Sequence, residues 1–241
     1  MKKTDLAILA LFAGVSLLLL SSCKIGCVKG SGNQASAARK VTDFTKLDIS
    51  GAFKIILKQD STLGVTVTTD DNLLQYVKTD IDGDRLVIST SKKSICSSGS
   101  IAITIGVRHL EAIKASGAVD LASDGKIVTK NVNLELSGAT KINLDLDAAD
   151  VTTTANGVTE ITLKGQASSH SIEFDGGGKL HAFDFVAGSY NITSSGASEC
   201  DINVLRELTV KSSGASAVKY KGNPATINNN KTGVSSITKV N

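Results

Sequence analysis

The side chains of this 241-residue chain whose types could do chemistry are few: three histidines, four cysteines and 23 acidic residues, with no tryptophan. His181 and Asp201 could form a proton-transferring pair if the fold brings them together, but a catalytic pair needs a third group to orient it, and none is evident. They read as an exposed ion pair. His170 falls in a row with Val132, Val151, Tyr190 and Leu208, so it reads as a histidine at the core edge bonded to backbone. There is no Cys-x-x-Cys and no Cys/His pairing at ligand spacing, so no zinc site is expected. No Gly-x-Ser-x-Gly is present, which removes the nucleophile elbow. No catalytic, cofactor-binding or metal-binding residue is therefore assigned.

These residues must be positioned by a repeat. Glycines within Ser-Gly-Ala-like tripeptides fall at 117, 138, 157, 176, 196, 214 and 233, with spacings of 21, 19, 19, 20, 18 and 19. A turn-forming residue precedes each one. Four residues after each stands an apolar side chain: Leu121, Ile142, Ile161, Leu180, Cys200, Val218 or Ile237. Flanking positions alternate apolar and polar, the period-two pattern of a half-buried strand. A unit of about 19–20 residues cannot bury its apolar face alone, whereas stacked copies can. The expected fold is all-β, a right-handed parallel β-helix with coils of about 19–20 residues and an irregular N-terminal β cap. The preference of parallel crossovers supplies the hand. The repeated tripeptide is thus architectural, glycine giving either positive φ or room for the next backbone. Three residues after the glycines, Asp120, Lys141, Glu160, Lys179 and Glu199 alternate in sign, which predicts attraction between adjacent rungs about 5 Å apart.

The chain divides into 1–22, 23–40 and 41–241. Lys2 and Lys3 precede an apolar run from Leu6 to Leu20, too short for a comfortable membrane span. The tetrapeptide Leu20-Ser21-Ser22-Cys23 resembles the lipobox of a bacterial lipoprotein. Residues 1–22 are then a signal peptide, Cys23 is the lipidated first residue, and the membrane is a partner through that anchor. Removing 1–22 leaves 24 basic and 22 acidic residues, a charge of about +2. With no basic stripe interleaved with aromatics, nucleic acid is not an expected partner. Residues 23–40 have the composition of a flexible linker. Residues 41–241 form one domain, with irregular opening coils over 41–110 and regular ones over 111–241. Asp82-Gly83-Asp84 before Arg85-Leu86-Val87-Ile88 marks a tight turn. Cys200 lies in the inward apolar row as a small buried hydrophobe. If a disulfide forms, its partners are Cys27 and Cys96.

The segments "FTKLDISGAFKIILKQD" (44–60), "GDRLVIST" (83–90), "RHLEAIKASGAVDL" (108–121) and "VKYKGNP" (218–224), with the Ser-Gly-Ala corners between, resemble the putative auto-transporter adhesin, head GIN domain family of Bacteroidetes lipoproteins. That resemblance spans nearly all of 44–224. It implies a right-handed β-helix-like fold and export to the envelope, and its name suggests adhesion. It carries no established binding or catalytic residues to transfer. The corners at Asn156-Gly157-Val158 and Asp175-Gly176-Gly177 depart from the usual tripeptide.

Three functions fit: a non-enzymatic, adhesin-like module whose polar faces bind a glycan or an envelope protein; a polysaccharide-active lyase or glycosidase; and a structural envelope protein without a specific ligand. Sugar-cleaving enzymes need clustered carboxylates and favour aromatic platforms. Here the acids are dispersed along the rows and tyrosines number three. The expected function is therefore the module, with contacts from outward residues such as Lys141, Thr162, Lys179 and Lys219. The expected location is the outer membrane, lipid-anchored. The absence of an acidic run after Cys23, of the kind resembling surface-export signals, favours the periplasmic face.

Overall fold

The computed structural model describes residues 26–92 and 94–240. Cys23, its lipidation and the signal peptide lie outside these described residues. Alternation of β-branched or aliphatic residues with polar ones makes strands almost throughout: β1 (Val28–Lys29), β2 (Gln34–Arg39), β3 (Lys46–Gln59), β4 (Gly64–Asp70), a 3₁₀ turn (Asp71–Tyr76), β5 (Val77–Asp82), β6 (Arg85–Thr90), β7 (Ile95–Cys96), β8 (Ala102–Val107), β9 (Ala112–Ser194), β10 (Ala197–Ser212), β11 (Ala215–Lys221), β12 (Thr226–Lys231) and β13 (Ser235–Lys239). Among the described residues no helix is long and apolar enough to cross a membrane.

The all-β expectation holds, but the parallel right-handed β-helix does not. The main sheet has eleven strands and is mixed, running open from β13 through β11, β10, β9, β3, β8 and β4 to β2 rather than closing into a solenoid. β2 is antiparallel to β4, β4 to β8, and β5 to β6. Only part of the pairing is parallel, including β3 with β9, β9 with β10, β10 with β11 and β11 with β13. The physical reason is that period two reports which face a side chain takes, not the direction of the neighbouring strand. The glycine spacing suggested direction, and it begins at residue 117. Before it, β3, β6 and β8 keep that direction, while β2, β4 and β5 pair antiparallel with their neighbours, β5 and β6 through the turn at Gly83, where φ is +61°.

The rung spacing itself survives as register. Ala197 of β10 lies beside Gly177 on one side and Ala215 on the other. Successive corner glycines stack so closely that a Cβ on Gly138 would stand 2.6 Å from the carbonyl oxygen of Gly117, and one on Gly157 equally close to that of Gly138. Gly138 also has a φ of +84°. Glycine is therefore required there both for conformation and for approach.

The inward rows form one continuous core. Leu121, Ile142, Ile161, Leu180, Cys200 and Val218 are buried, and Ile237 packs partly buried against them at the last rung. Each such aliphatic side chain contributes roughly 1.5–3 kcal/mol by leaving water.

Part of the segment with linker composition is ordered by pairing. Residues 34–39 form β2, whose small side chains carry little hydrophobic signal but whose backbone pairs with β4. Cys27 is joined to Cys96, the expected pair, next to the short parallel β1–β7 ladder. Asp70 fastens the same region. Fully buried, its carboxylate accepts hydrogen bonds from the Ser98 hydroxyl (2.6 Å) and amide (2.9 Å), the Ser97 hydroxyl (2.7 Å) and the Gly32 amide (2.9 Å). Those donors, Ser98 foremost, hold its pKa down at about 2.

Candidate functional site

The sequence-derived candidates separate into two environments. His181 and Asp201 are register partners across β9 and β10, with Nδ1 and Oδ2 3.5 Å apart and side-chain exposures of 42% and 17%. Lys219 is Asp201's neighbour on the other side, and its ammonium bonds Glu199 at 2.9 Å. The spacing predicts this pairing as an exposed ion pair; the structure keeps the pairing but leaves Asp201 mostly covered, with Oδ1 buried and without a hydrogen-bond partner. Glu199 is held below the usual carboxylate range, first by its bond to Lys219 and then by the charges of Lys219 and Lys179. Lys219 is correspondingly raised, with Glu199 the main cause.

His170 is elsewhere, in the core. Its ring stands edge-on to Phe185 at 6.0 Å and tilted against Tyr190 at 5.3 Å. Nε2 bonds the Thr153 hydroxyl at 3.0 Å, and Nδ1 has no partner. The sequence predicted a backbone partner; the structure supplies a threonine from the neighbouring rung instead. Desolvation alone lowers this imidazole to a pKa of about 3, so it is neutral and serves packing. Cys200 is a buried free thiol pushed up to about 12, by burial first and then by Asp201 and Glu199, which makes it unreactive. Burial also raises the Tyr190 phenol, whose hydroxyl donates to the Phe185 carbonyl at 3.4 Å. Among the described residues no three His, Cys, Asp or Glu side chains are grouped to hold a metal ion.

A groove of about 940 Å³ runs across the corner glycines. Its floor is the residue immediately after each glycine: Ala139, Val158, Gly177, Ala197, Ala215 and Val234. Val158 is 71% exposed and Val234 85%. The next residue of each rung points inward, as Thr140, Thr159, Ser198 and Ser216 do. The third points out again and rims the groove with Lys141, Glu160, Lys179 and Glu199. Lys141 and Glu160 meet at 3.1 Å, the attraction between rungs that the alternating row predicts. The small-residue floor was not singled out from sequence. Its signal was present as the alanine of each Ser-Gly-Ala, but an exposed alanine is unremarked until neighbouring rungs align into a strip.

The family model described as "putative auto-transporter adhesin, head GIN domain" matches residues 43–224. Among solved structures, a putative adhesin from Bacteroides fragilis is similar with a TM-score of 0.84 at 22% identity, covering 88% of this chain and 100% of its own. A putative lipid binding protein from Parabacteroides distasonis has a TM-score of 0.70 at 19% identity, covering 89% and 99%. A putative adhesin from Parabacteroides merdae gives 0.68 at 21%, also covering 89% and 99%. At these identities the likeness is one of fold. No curated protein matches the chain.

Proposed function

The chain belongs to the putative auto-transporter adhesin, head GIN domain family, and from that premise we propose that it is a non-enzymatic, adhesin-like interaction module of the cell envelope. The observation that carries this reading is a pair of polar rows on adjacent rungs: Lys141, Glu160, Lys179 and Glu199 rim the groove, and His181, Asp201 and Lys219 run two residues further along the strands. Such a surface suits broad contact with a glycan or an envelope protein, in which many weak polar contacts add up. With no tryptophan in the chain, no single large aromatic anchor dominates. Attachment through a lipid at Cys23 would hold the module at the outer membrane, on the periplasmic side.

Binding of the purified protein to envelope polysaccharides and envelope extracts tests the reading. Alanine at any one of Lys141, Thr162, Lys179 or Lys219 should weaken binding slightly, and alanine at all four should weaken it strongly while the fold, followed by circular dichroism, stays intact. An enzyme behaves oppositely. New reducing ends or unsaturated sugars, abolished by Asp201→Asn or His181→Ala alone, would overturn the proposal. For the anchor, Cys23→Ser should abolish incorporation of labelled acyl chains; continued labelling refutes that assignment.

A further inference from the structure

The stacking of rungs is interrupted at one corner, where the chain turns from β8 into β9. There Leu110 is buried and Glu111 exposed. At the same two positions before the next corner glycine, Gly138 in place of Gly117, the order is reversed: Asn131 is exposed and Val132 buried. Alternation is out of phase between these neighbouring corners, so they do not stack side chain on side chain. Two bonds span them, from the Asn133 amide to the Glu111 carbonyl at 2.9 Å and from the Thr129 hydroxyl to the Leu110 carbonyl at 2.6 Å. Between them, with Asp150 and Thr152 of the following rung in its wall, lies a hollow of about 730 Å³. That is within the range of small-ligand sites.

The side chains lining this hollow differ from the outward rows elsewhere. Lys141 pairs with Glu160, Lys219 with Glu199 and Gln166 with Asp147, each across one rung. In the hollow the His109 imidazole, the Lys130 ammonium and the Asn131 side-chain amide have no hydrogen-bond or ion-pair partner among the described residues. Glu111 accepts from the Thr45 hydroxyl at 3.0 Å and Asp150 from the Ser169 hydroxyl at 2.6 Å, each through one carboxylate oxygen. The second oxygen of each has no partner among the described residues. Free donors and free acceptors therefore share one concavity, and Val132, the aliphatic residue in its wall, is turned into the core.

We propose that this hollow binds an uncharged oligosaccharide, with about two or three sugar rings filling it. A hydroxyl both donates and accepts, so a polyol satisfies the imidazole, the ammonium, the amide and both carboxylates without a charge of its own. An anion, whether a phosphate or a uronic acid, meets two carboxylates against the one ammonium of Lys130. A peptide finds no apolar pocket for its side chains. Among the described residues no three metal-ligating side chains are grouped here or elsewhere. The wall has no aromatic ring for a sugar to lie on, so binding is weak and rests on hydrogen bonds. The site is separate from the groove face and goes beyond the interaction-module reading in having its own ligand class.

The test is titration of the purified full-length protein with the trimers of glucose, galactose, mannose and N-acetylglucosamine, followed through its amide resonances by NMR. At least one trimer should give saturable shifts centred on Lys130, Asn131 and Asn133, and trigalacturonate should bind about tenfold more weakly than the best neutral trimer. Lys130→Ala should weaken the neutral trimer about tenfold, the effect of one lost hydrogen bond to a charged group, with the circular dichroism unchanged. Asp150→Asn with Glu111→Gln should bring trigalacturonate to within about threefold of the neutral trimer, since the repelling charges are gone. Absence of saturable shifts at the hollow with every neutral trimer overturns the proposal, as does tighter binding of trigalacturonate by the wild type. Spermidine that shifts these amides when none of the sugars does assigns the hollow to cations and also refutes it. Alanine at Lys141, Thr162, Lys179 and Lys219 together should leave trimer binding unchanged. Trimer binding lost in that variant, with shifts centred on its four positions, moves the sugar to the groove face and refutes the hollow while leaving the interaction-module reading standing.

Discussion

Lowering the pH from 7 to 4.5 can charge His170 only by unfolding the chain around it. In the unfolded chain its imidazole titrates near pH 6.5, whereas in the core, with Nδ1 unpartnered and Nε2 on a threonine hydroxyl, its pKa falls to about 3. Between those values the unfolded state binds one more proton than the native state, so stability drops as pH falls. The contribution is whole above pH 6.5, declines by about 1.4 kcal/mol per pH unit, and levels off below pH 3. At pH 4.5 the loss is about 2.7 kcal/mol. It is insensitive to the folded-state value, provided that value lies below 4.5. Asp70, held at about 2, acts only below its ordinary value of 3.8, so this window belongs mainly to the histidine. The assay is urea unfolding of the wild type and His170→Leu at pH 7 and 4.5, followed by circular dichroism. The variant leaves the Thr153 hydroxyl without its partner, a cost that does not depend on pH. The wild type should therefore lose about 2.7 kcal/mol more than the variant between the two pH values. Equal losses would show that His170 is charged or solvated in the folded protein, and would refute its place in the core.

Three further outcomes follow from the packing. Ile161→Asp puts a carboxylate into the central buried row and should cost several kcal/mol, while Glu160→Gln, which loses one exposed pair with Lys141, should cost about 0.2–1 kcal/mol; equal melting shifts would mean the register is wrong. Gly138→Ala must place a Cβ 2.6 Å from the Gly117 carbonyl at a φ of +84°, and should destabilise by at least about 1–3 kcal/mol, read from the urea midpoint, whereas Gly125→Ala meets open space and should bear only the strain of its positive φ. Reducing Cys27–Cys96, which spans 69 residues, should release the N-terminal segment to proteolysis and lower stability by up to about 4 kcal/mol on a loop-closure account; an unchanged digestion pattern would show that the Asp70 bonds suffice.

The sequence by itself determined which residues face the core. Leu134, Ile172, Ile192 and Val210 are buried and Lys141 and Glu160 point to solvent, because alternation along a strand is a local property readable from spacing alone. The same locality made the corner glycines and the turn at Gly83 legible, along with the choice of Cys200 as the unpaired thiol. Strand direction was not local. Antiparallel β2, β4 and β5 alternate just as parallel strands do, so the mixed, open sheet was decided by which backbones could hydrogen-bond across distances the spacing does not record. The remaining surprises share that cause. β2 is held by pairing rather than by apolar content, Asp70 is buried because Gly32, Ser97 and Ser98 converge on it, and His170 finds Thr153 on an adjacent rung. The groove, too, exists only once alanines and glycines some nineteen residues apart are stacked, since a strip across rungs is a property of neighbours in space and not of neighbours in the chain.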